Sequence, residues 1–467
     1  MKIYLQKAIK VFITAILIVS SAYLSTAQTM SAGGAHSVFV CASGEARATG
    51  NNNVGQLGNG TNTNTSTPGP VNGLTGILAT SSRDQFTLFL KNDSTVWAVG
   101  YNGYGQFGNG TIINSDVPVQ IPDLSGVIKI AAGTYHSLFL KSDSTVWSCG
   151  RNFSGELGDG TKMQKNTPVK VTSLTGIIDI AAGDYHSMFL KSDGTVWSCG
   201  DNQNGCLGLG SAPMQIVFPT HVSSISDVNT IAGGFRHSLF IRQDSTVWAS
   251  GLNTEGQLGD GTNTDKLTPV HITGLSGITG IAAGQYHSIF LKGDGTVWSS
   301  GANLNGQLGD GTNLDKNSPV MVIGLTGIEK IAASGYYHSL FLKNDKSFWA
   351  CGANNVGQLG DGTVIGRNVP VLVLDNCAVT GVHEIISEIN TLVYPNPSQG
   401  LFTLQINGTH PEIDNLEIYT LLGELVYSEK PNGSVITVDL SKRSKGVYFY
   451  RIKSNKQIKT IGKIVVN

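Results

Sequence analysis

At 467 residues, with 31 basic against 32 acidic side chains, the chain carries a formal charge of −1 and lacks the basic excess that a nucleic-acid-binding surface needs. Charged residues are only 13% of the chain, while glycine fills 59 positions against the roughly 7% usual in globular proteins. That surplus points to many tight turns and away from long helices, and the length allows one large domain plus a smaller one.

The chain opens with Lys2, Lys7 and Lys10 ahead of an apolar run from Val11 to Leu24, followed by the small residues Ser25, Thr26 and Ala27. This order predicts a signal peptide over 1–27, cleaved before Gln28; the run is shorter than the roughly 20 residues that span a bilayer. No later stretch is apolar enough to span, so the mature chain is expected outside the inner membrane and soluble.

From 28 to 379 the chain repeats itself about every fifty residues. The string at Ala131–Gly150, AAGTYHSLFLKSDSTVWSCG, returns with small changes at Ala181–Gly200 and Ala282–Gly301. Tryptophans at 97, 147, 197, 248, 298 and 349 mark the period, with Arg47 in the first copy, and a glycine loop of the GQLGDG type follows each. Seven copies result, near 31–80, 81–130, 131–180, 181–231, 232–281, 282–331 and 332–379. Within a copy, Val127–Ala132, His136–Lys141, Thr145–Cys149 and Pro168–Val171 read as four short strands, the last a proline-tolerant edge. Such a unit cannot bury its faces alone, so the predicted fold class is all-β: a seven-bladed propeller of four-stranded blades.

The HS-x-F-L-K strand, the D-G-T-V-W-S strand, the G-x-N step and the G-Q-L-G-D-G-T loop together resemble the regulator of chromosome condensation repeat family. That resemblance covers about three quarters of the chain and implies the same seven-bladed fold. Function does not follow from it, because one fold hosts many functions.

The repeated residues read first as structure. The G-x-N asparagines fit turn chemistry. The histidines at 36, 136, 186, 237, 287 and 338, with Phe86 in the second copy, are expected to bond within their own blades rather than to ring a metal. Asp159, Asp260, Asp310 and Asp361 lack the alternating acids of a calcium loop. No serine elbow, cysteine–histidine pair or phosphate loop is present, so no catalytic residue, cofactor or metal is expected. Cys149, Cys199 and Cys351 read as buried thiols; Cys41 and Cys377 flank the propeller, where a bridge would fasten the ring, and their pairing stays open.

The candidate binding residues lie in the loop before each histidine, where the copies keep a scaffold and vary what it carries. These are Asp84, Tyr135, Asp184, Tyr185, Phe235, Arg236, Tyr286, Tyr336 and Tyr337. Rotation places all these loops on one face, as a ring of tyrosines with a few charges; the aromatics either contact a partner or pack against the neighbouring blade.

After Cys377 the period stops. Residues 380–390 read as a linker, and 391–467 as a small β-sandwich of about seven strands, carried by YPNPSQGLFTLQI at Tyr394–Ile406, LEIYTLLGELV at Leu416–Val426, GVYFYRI at Gly446–Ile452 and the terminal KIVVN. The order of these strings resembles the type A sorting domain of the type IX secretion system. The resemblance implies a bacterium of the Bacteroidetes kind, transit through the periplasm, handling by that secretion machinery, and removal of the domain upstream of Tyr394. The functional expectation is a secreted or cell-surface binding propeller without catalytic activity, gripping an extracellular protein or glycan. The alternatives are an extracellular enzyme of unrecognised type and a guanine-nucleotide-exchange-like regulator; the second conflicts with export.

Overall fold

The computed structural model describes residues 30–374, 377, 390–407, 414–420, 424–431, 433–454 and 457–467. The expected signal peptide 1–27 lies outside them, as does the expected linker 380–390 apart from Asn390, which begins a strand. The chain divides into two compact units, Met1–Val379 and Thr380–Asn467.

Among the described residues, the first unit holds seven four-stranded antiparallel sheets, each with its strands in chain order. The innermost strands are Met30–Ala32, Ile77–Arg83, Val127–Ala132, Ile177–Ala182, Val228–Gly233, Ile278–Ala283 and Ile328–Ala333. They surround a narrow axial channel of about 180 Å³. The outermost strands run from Thr65–Pro70 in the first blade to Arg367–Leu372 in the seventh. Each carries a proline at the same place (68, 118, 168, 219, 269, 319, 370), and the first a second one, Pro70; proline is tolerated there because an outer edge has no ladder partner to lose. Boundaries drawn on the sequence repeat, at 81 or 131, fall inside the innermost strands rather than between blades.

Packing between blades rests on one phenylalanine per blade. Phe39, Phe89, Phe139, Phe189, Phe240, Phe290 and Phe341 stand on the second strands, fully buried. Each inserts into the blade before it: Phe139 packs among Leu88, Leu90 and Val96, and Phe89 among Val38 and Val40. Truncating one such ring costs roughly 3–5 kcal/mol. Glycine loops complete the interface. Gly108 has φ +70° and would carry a Cβ 3.1 Å from Pro168 of the next blade, so both its conformation and its neighbour exclude a side chain.

The ring closes without strand exchange, since the first and seventh blades each supply their own four strands. Phe39, Met30 and Ala32 pack among Leu340, Leu342 and Ala350 of the seventh blade. The Gly335 N–H donates to the Gly33 carbonyl at 3.1 Å. A disulfide joins Cys41 to Cys377 across a sequence separation of 336, with Cα atoms 5.0 Å apart. Cys149, Cys199, Cys206 and Cys351 are buried free thiols.

The second unit is a two-sheet sandwich. Asn390–Tyr394, Leu401–Asn407 and Val435–Asp439 form one sheet; Leu425–Glu429, Asn415–Thr420, Gly446–Ser454 and Gln457–Val466 form the other. Period-2 alternation buries Phe402, Leu404 and Ile406 against Leu416, Ile418, Tyr450 and Ile452, which is the core.

Candidate functional site

Antiparallel order puts two loops of every blade on one face of the propeller: the short loop between first and second strands, and the long glycine-rich loop between third and fourth. The opposite face carries tight hairpins, whose aspartates are consumed locally. Asp193 Oδ1 accepts both the N–H and the hydroxyl of Thr195.

The long loops are built on their asparagines. Asn303, fully buried, accepts the Leu308 N–H on Oδ1 at 3.0 Å and donates from Nδ2 to Asp310 and to the Thr312 carbonyl. Asp310 in turn takes the Thr312 N–H. The turn role expected of both residue types holds, and among the described residues no group of three metal-ligating side chains occurs.

The histidines are structural too, but their partners differ from expectation: they bond to the next blade, not within their own. His136 Nε2 meets Ser187 Oγ at 3.0 Å, His186 meets Ser238 at 3.0 Å, His237 meets Ser288 at 3.0 Å and His287 meets Ser339 at 3.1 Å. His338 reaches Ser37 and so crosses the closure, and His36 reaches Thr87. Each serine hydroxyl donates onward to a carbonyl, as Ser187 does to Glu156 at 2.6 Å. In the five histidines that meet a serine, Nε2 must therefore carry the proton, which assigns their tautomer. A Cβ on Gly133 would lie 2.2 Å from the His136 ring, so this spacing calls for glycine; the seventh blade, with one more residue in the loop, has Ser334 in that place before His338. The second blade breaks both positions at once, with Arg83 for the glycine and Phe86 for the histidine.

Arg83 turns the break into a plug. Its side chain crosses the mouth of the channel, donates from Nε to Asp184 Oδ1 at 2.7 Å, and reaches the Ala283 and Gly284 carbonyls. With a further bond to the Gly233 carbonyl at 3.4 Å, one guanidinium reaches the fourth, fifth and sixth blades. Beside it the Tyr336 phenol donates to Asp84 Oδ1 at 2.6 Å, tying the seventh blade to the second. Asp84 and Asp184, expected on the displayed ring, lie inside it: both are buried, because their charge partners sit on the axis. Burial pushes each carboxyl above the usual carboxylate range, and Arg83 draws Asp184 only partly back. Arg83→Met is expected to cost about 3–5 kcal/mol, since it strands a buried carboxylate. Urea unfolding checks this; Arg83→Met combined with Asp184→Leu should recover most of the loss, and an unchanged single variant would contradict the pin.

The remaining candidates sit on the loop face. Tyr135, Tyr185, Phe235, Arg236, Tyr286 and Tyr336 are half-buried, and Tyr337 is exposed. Several link into a continuous band with side chains that sequence reasoning missed. Tyr104 lies 4.8 Å from Tyr135 and 6.0 Å from Phe153, centroid to centroid. The Arg151 guanidinium lies 5.1 Å from the Phe153 ring and 4.8 Å from the Tyr185 ring. Tyr185 then meets Phe235 at 5.9 Å, and Phe235 meets Tyr286 at 5.4 Å. The band thus crosses the second to sixth blades, and its aromatics both touch neighbouring blades and keep an open face.

Its charges are already matched. Arg151 pairs with buried Glu156 at 2.5 Å, and Arg236 with Asp201 at 3.4 Å. Around the band the long loops expose Ile113, Met163, Met214, Leu314 and Val364 to solvent. The missed residues Tyr104, Arg151 and Phe153, and Tyr101 at 6.0 Å from Tyr135, come from the long loops, where the repeat is least regular; the signal for Arg83 is that the second copy lacks the glycine.

No curated protein matches the chain. The model of the RCC1-like domain matches residues 13–323, that of the RCC1 repeat residues 328–358, and that of the secretion system C-terminal sorting domain residues 392–467. Among solved structures, yeast RCC1 (Prp20), crystallised with Kap60, shares 23% identity over 74% of this chain and 85% of its own, with a TM-score of 0.63. Prp20p from Saccharomyces cerevisiae, described with its binding to Gsp1p and histones, gives 23%, 74%, 87% and 0.63 in the same order. Human WBSCR16 gives 23%, 67%, 86% and 0.60. These likenesses show the fold alone. The sorting domain marks export to the cell surface or beyond, and no helix among the described residues is long and apolar enough to cross a membrane. The chain therefore belongs to the RCC1-like domain family, as an exported propeller with a secretion-system sorting domain at its C-terminus.

Proposed function

We propose that this is a non-catalytic binding propeller, which grips an extracellular protein or glycan with the face formed by the short and long loops. The observation that carries this reading is the aromatic band from Tyr104 to Tyr286, open on one face and rimmed by exposed apolar side chains. Tyrosine and arginine dominate interface hot spots because they bury large area at low entropic cost and keep a polar edge. Burial raises the phenols of Tyr185 and Tyr286 above their ordinary range, so both stay neutral donors at any physiological pH. The binding to Gsp1p and histones described for the yeast relative is not carried over, since the sorting domain sends this chain outside the cell.

Affinity capture from the organism's surroundings identifies the partner, and variants then map it. Tyr185→Ala and Arg236→Ala are each expected to cost about 1–2 kcal/mol of binding with folding intact. Asp193→Ala, on the hairpin face, should leave binding unchanged. Weakening by the hairpin variant alone would place the site on the other side.

A further inference from the structure

The loop face twice seats an arginine of its own chain among aromatic rings and beside a carboxylate. The Arg151 guanidinium lies 5.1 Å from the Phe153 ring and 4.8 Å from the Tyr185 ring, and pairs with Glu156 at 2.5 Å. Arg236 lies 5.1 Å from the Phe235 ring and pairs with Asp201 at 3.4 Å. Guanidinium suits such places because it is flat, weakly hydrated and attracted to the electron-rich face of a ring.

Rings and a carboxylate also meet where the second and third blades adjoin. Tyr101 and Tyr104 have centroids 6.3 Å apart and planes inclined at 67°. Tyr135 closes the triangle, at 6.0 Å and 64° from Tyr101 and at 4.8 Å and 46° from Tyr104. Three half-buried rings so inclined meet as the walls of a corner, not as a flat platform. Tyr101 is settled over Gly103, where a Cβ would come within 2.2 Å of its phenol oxygen. The charge comes from Asp84, whose field reaches the phenols of Tyr101 and Tyr135.

Charge at this mouth of the channel does not balance. Asp84 and Asp184 are two carboxylates against the one guanidinium of Arg83, which is spent on Asp184 and on carbonyls of the fifth and sixth blades. Burial holds the Asp84 carboxyl above the usual carboxylate range, and its bond from the Tyr336 phenol and the charge of Arg83 draw it only partly back. That phenol lies over Gly34 of the first blade, which has no side chain to obstruct it, and fixes the carboxylate at 2.6 Å. The corner therefore offers ring faces and a net negative field together, the pair of features that elsewhere on this face receives an arginine.

We infer that Tyr101, Tyr104, Tyr135 and Asp84 form an arginine-binding corner, where a guanidinium from an extracellular partner protein stacks on the rings in the field of the carboxylate. The corner rests on the proposed loop face and names the chemistry of one part of it. A saccharide, which stacks on a ring lying flat and open, finds no such platform among rings inclined at 46° to 67°.

Tyrosine-ring NMR of the full-length protein tests the corner, with N-acetylarginine N-methylamide as probe and the citrulline compound as its uncharged isostere. Millimolar arginine probe should shift the rings of Tyr101, Tyr104 and Tyr135 saturably, and the citrulline probe should not. Asp84→Asn keeps an acceptor for Tyr336 and tolerates the φ of 44° at this position, so its melting temperature should hold. It should nevertheless weaken the arginine probe about fivefold, as loss of a charge-assisted site requires. Tyr104→Phe should keep the response and Tyr104→Leu should diminish it. Equal shifts from arginine and citrulline, or an undiminished response in folded Asp84→Asn, overturn the proposal. A lysine counterpart that binds as tightly as arginine overturns the choice of guanidinium. Shifts of these rings by N-acetylglucosamine, with none by arginine, overturn it in favour of a saccharide. A captured partner weakened by Tyr185→Ala but indifferent to Asp84→Asn would end this proposal and leave the loop-face reading standing.

Discussion

Between pH 6.5 and pH 4 the propeller is expected to lose stability steeply, because six buried histidines are held neutral in the fold. Burial lowers His36 from 6.5 to about 4, and His136, His186, His237, His287 and His338 from 6.5 to about 3. Geometry explains the direction. Nε2 of the five that meet a serine already donates across the blade interface, while Nδ1 of His186, His237, His287 and His338 has no hydrogen-bond partner to steady a second proton. A histidine with a depressed folded pKa contributes its full stability above 6.5 and loses it as pH falls toward the folded value, since the unfolded chain then binds the extra proton. Each can contribute up to about 1.4 kcal/mol per pH unit in that window, and six together roughly 8 kcal/mol per unit at the steepest. Asp84, Asp184 and Glu156 act in the opposite sense, their carboxyls being raised chiefly by burial, but they are fewer. Urea midpoints at pH 7.5, 6, 5 and 4 read the effect. A midpoint that stays level down to pH 5 would contradict it, and His287→Gln should flatten the slope by about one histidine's share.

Loss of the Cys41–Cys377 disulfide is the second large effect. The bridge closes a loop with a sequence separation of 336, and chain-entropy arguments assign such a loop roughly 5–6 kcal/mol. The paired variant Cys41→Ser with Cys377→Ser avoids a stray thiol and should unfold at correspondingly lower urea. The wild-type protein equilibrated with reductant should match it. The other cysteines give a built-in control: burial raises the thiols of Cys149, Cys206 and Cys351, so they react little and their replacement by serine should not mimic reduction. If the double variant kept the wild-type midpoint, the Phe39 contact with Leu340 and Leu342 would by itself suffice to close the ring.

Much of this architecture was legible in the chain. A fifty-residue period, a proline on each outer strand and a glycine loop after each tryptophan position dictate blades, because those features are local: they set strand, turn and edge within a few residues. The same locality let Asn152 or Asp260 be read as turn chemistry. Partners across blades were not legible. His136 and Ser187 are 51 residues apart, and nothing in the period distinguishes a bond to the next blade from one within the same blade. Arg83 went unread in the sequence, and its reach to Asp184, 101 residues on, depends on seven inner strands converging on one axis. That convergence also buried Asp84 and Asp184, which a loop-by-loop reading placed at the surface. The sequence alone thus determined the repeat, the blade and the sandwich, since hydrophobic period and turn residues act over short range. Only the closed ring decided which polar groups are spent on the axis and which remain open on the loop face, because desolvation is a property of the assembled blades.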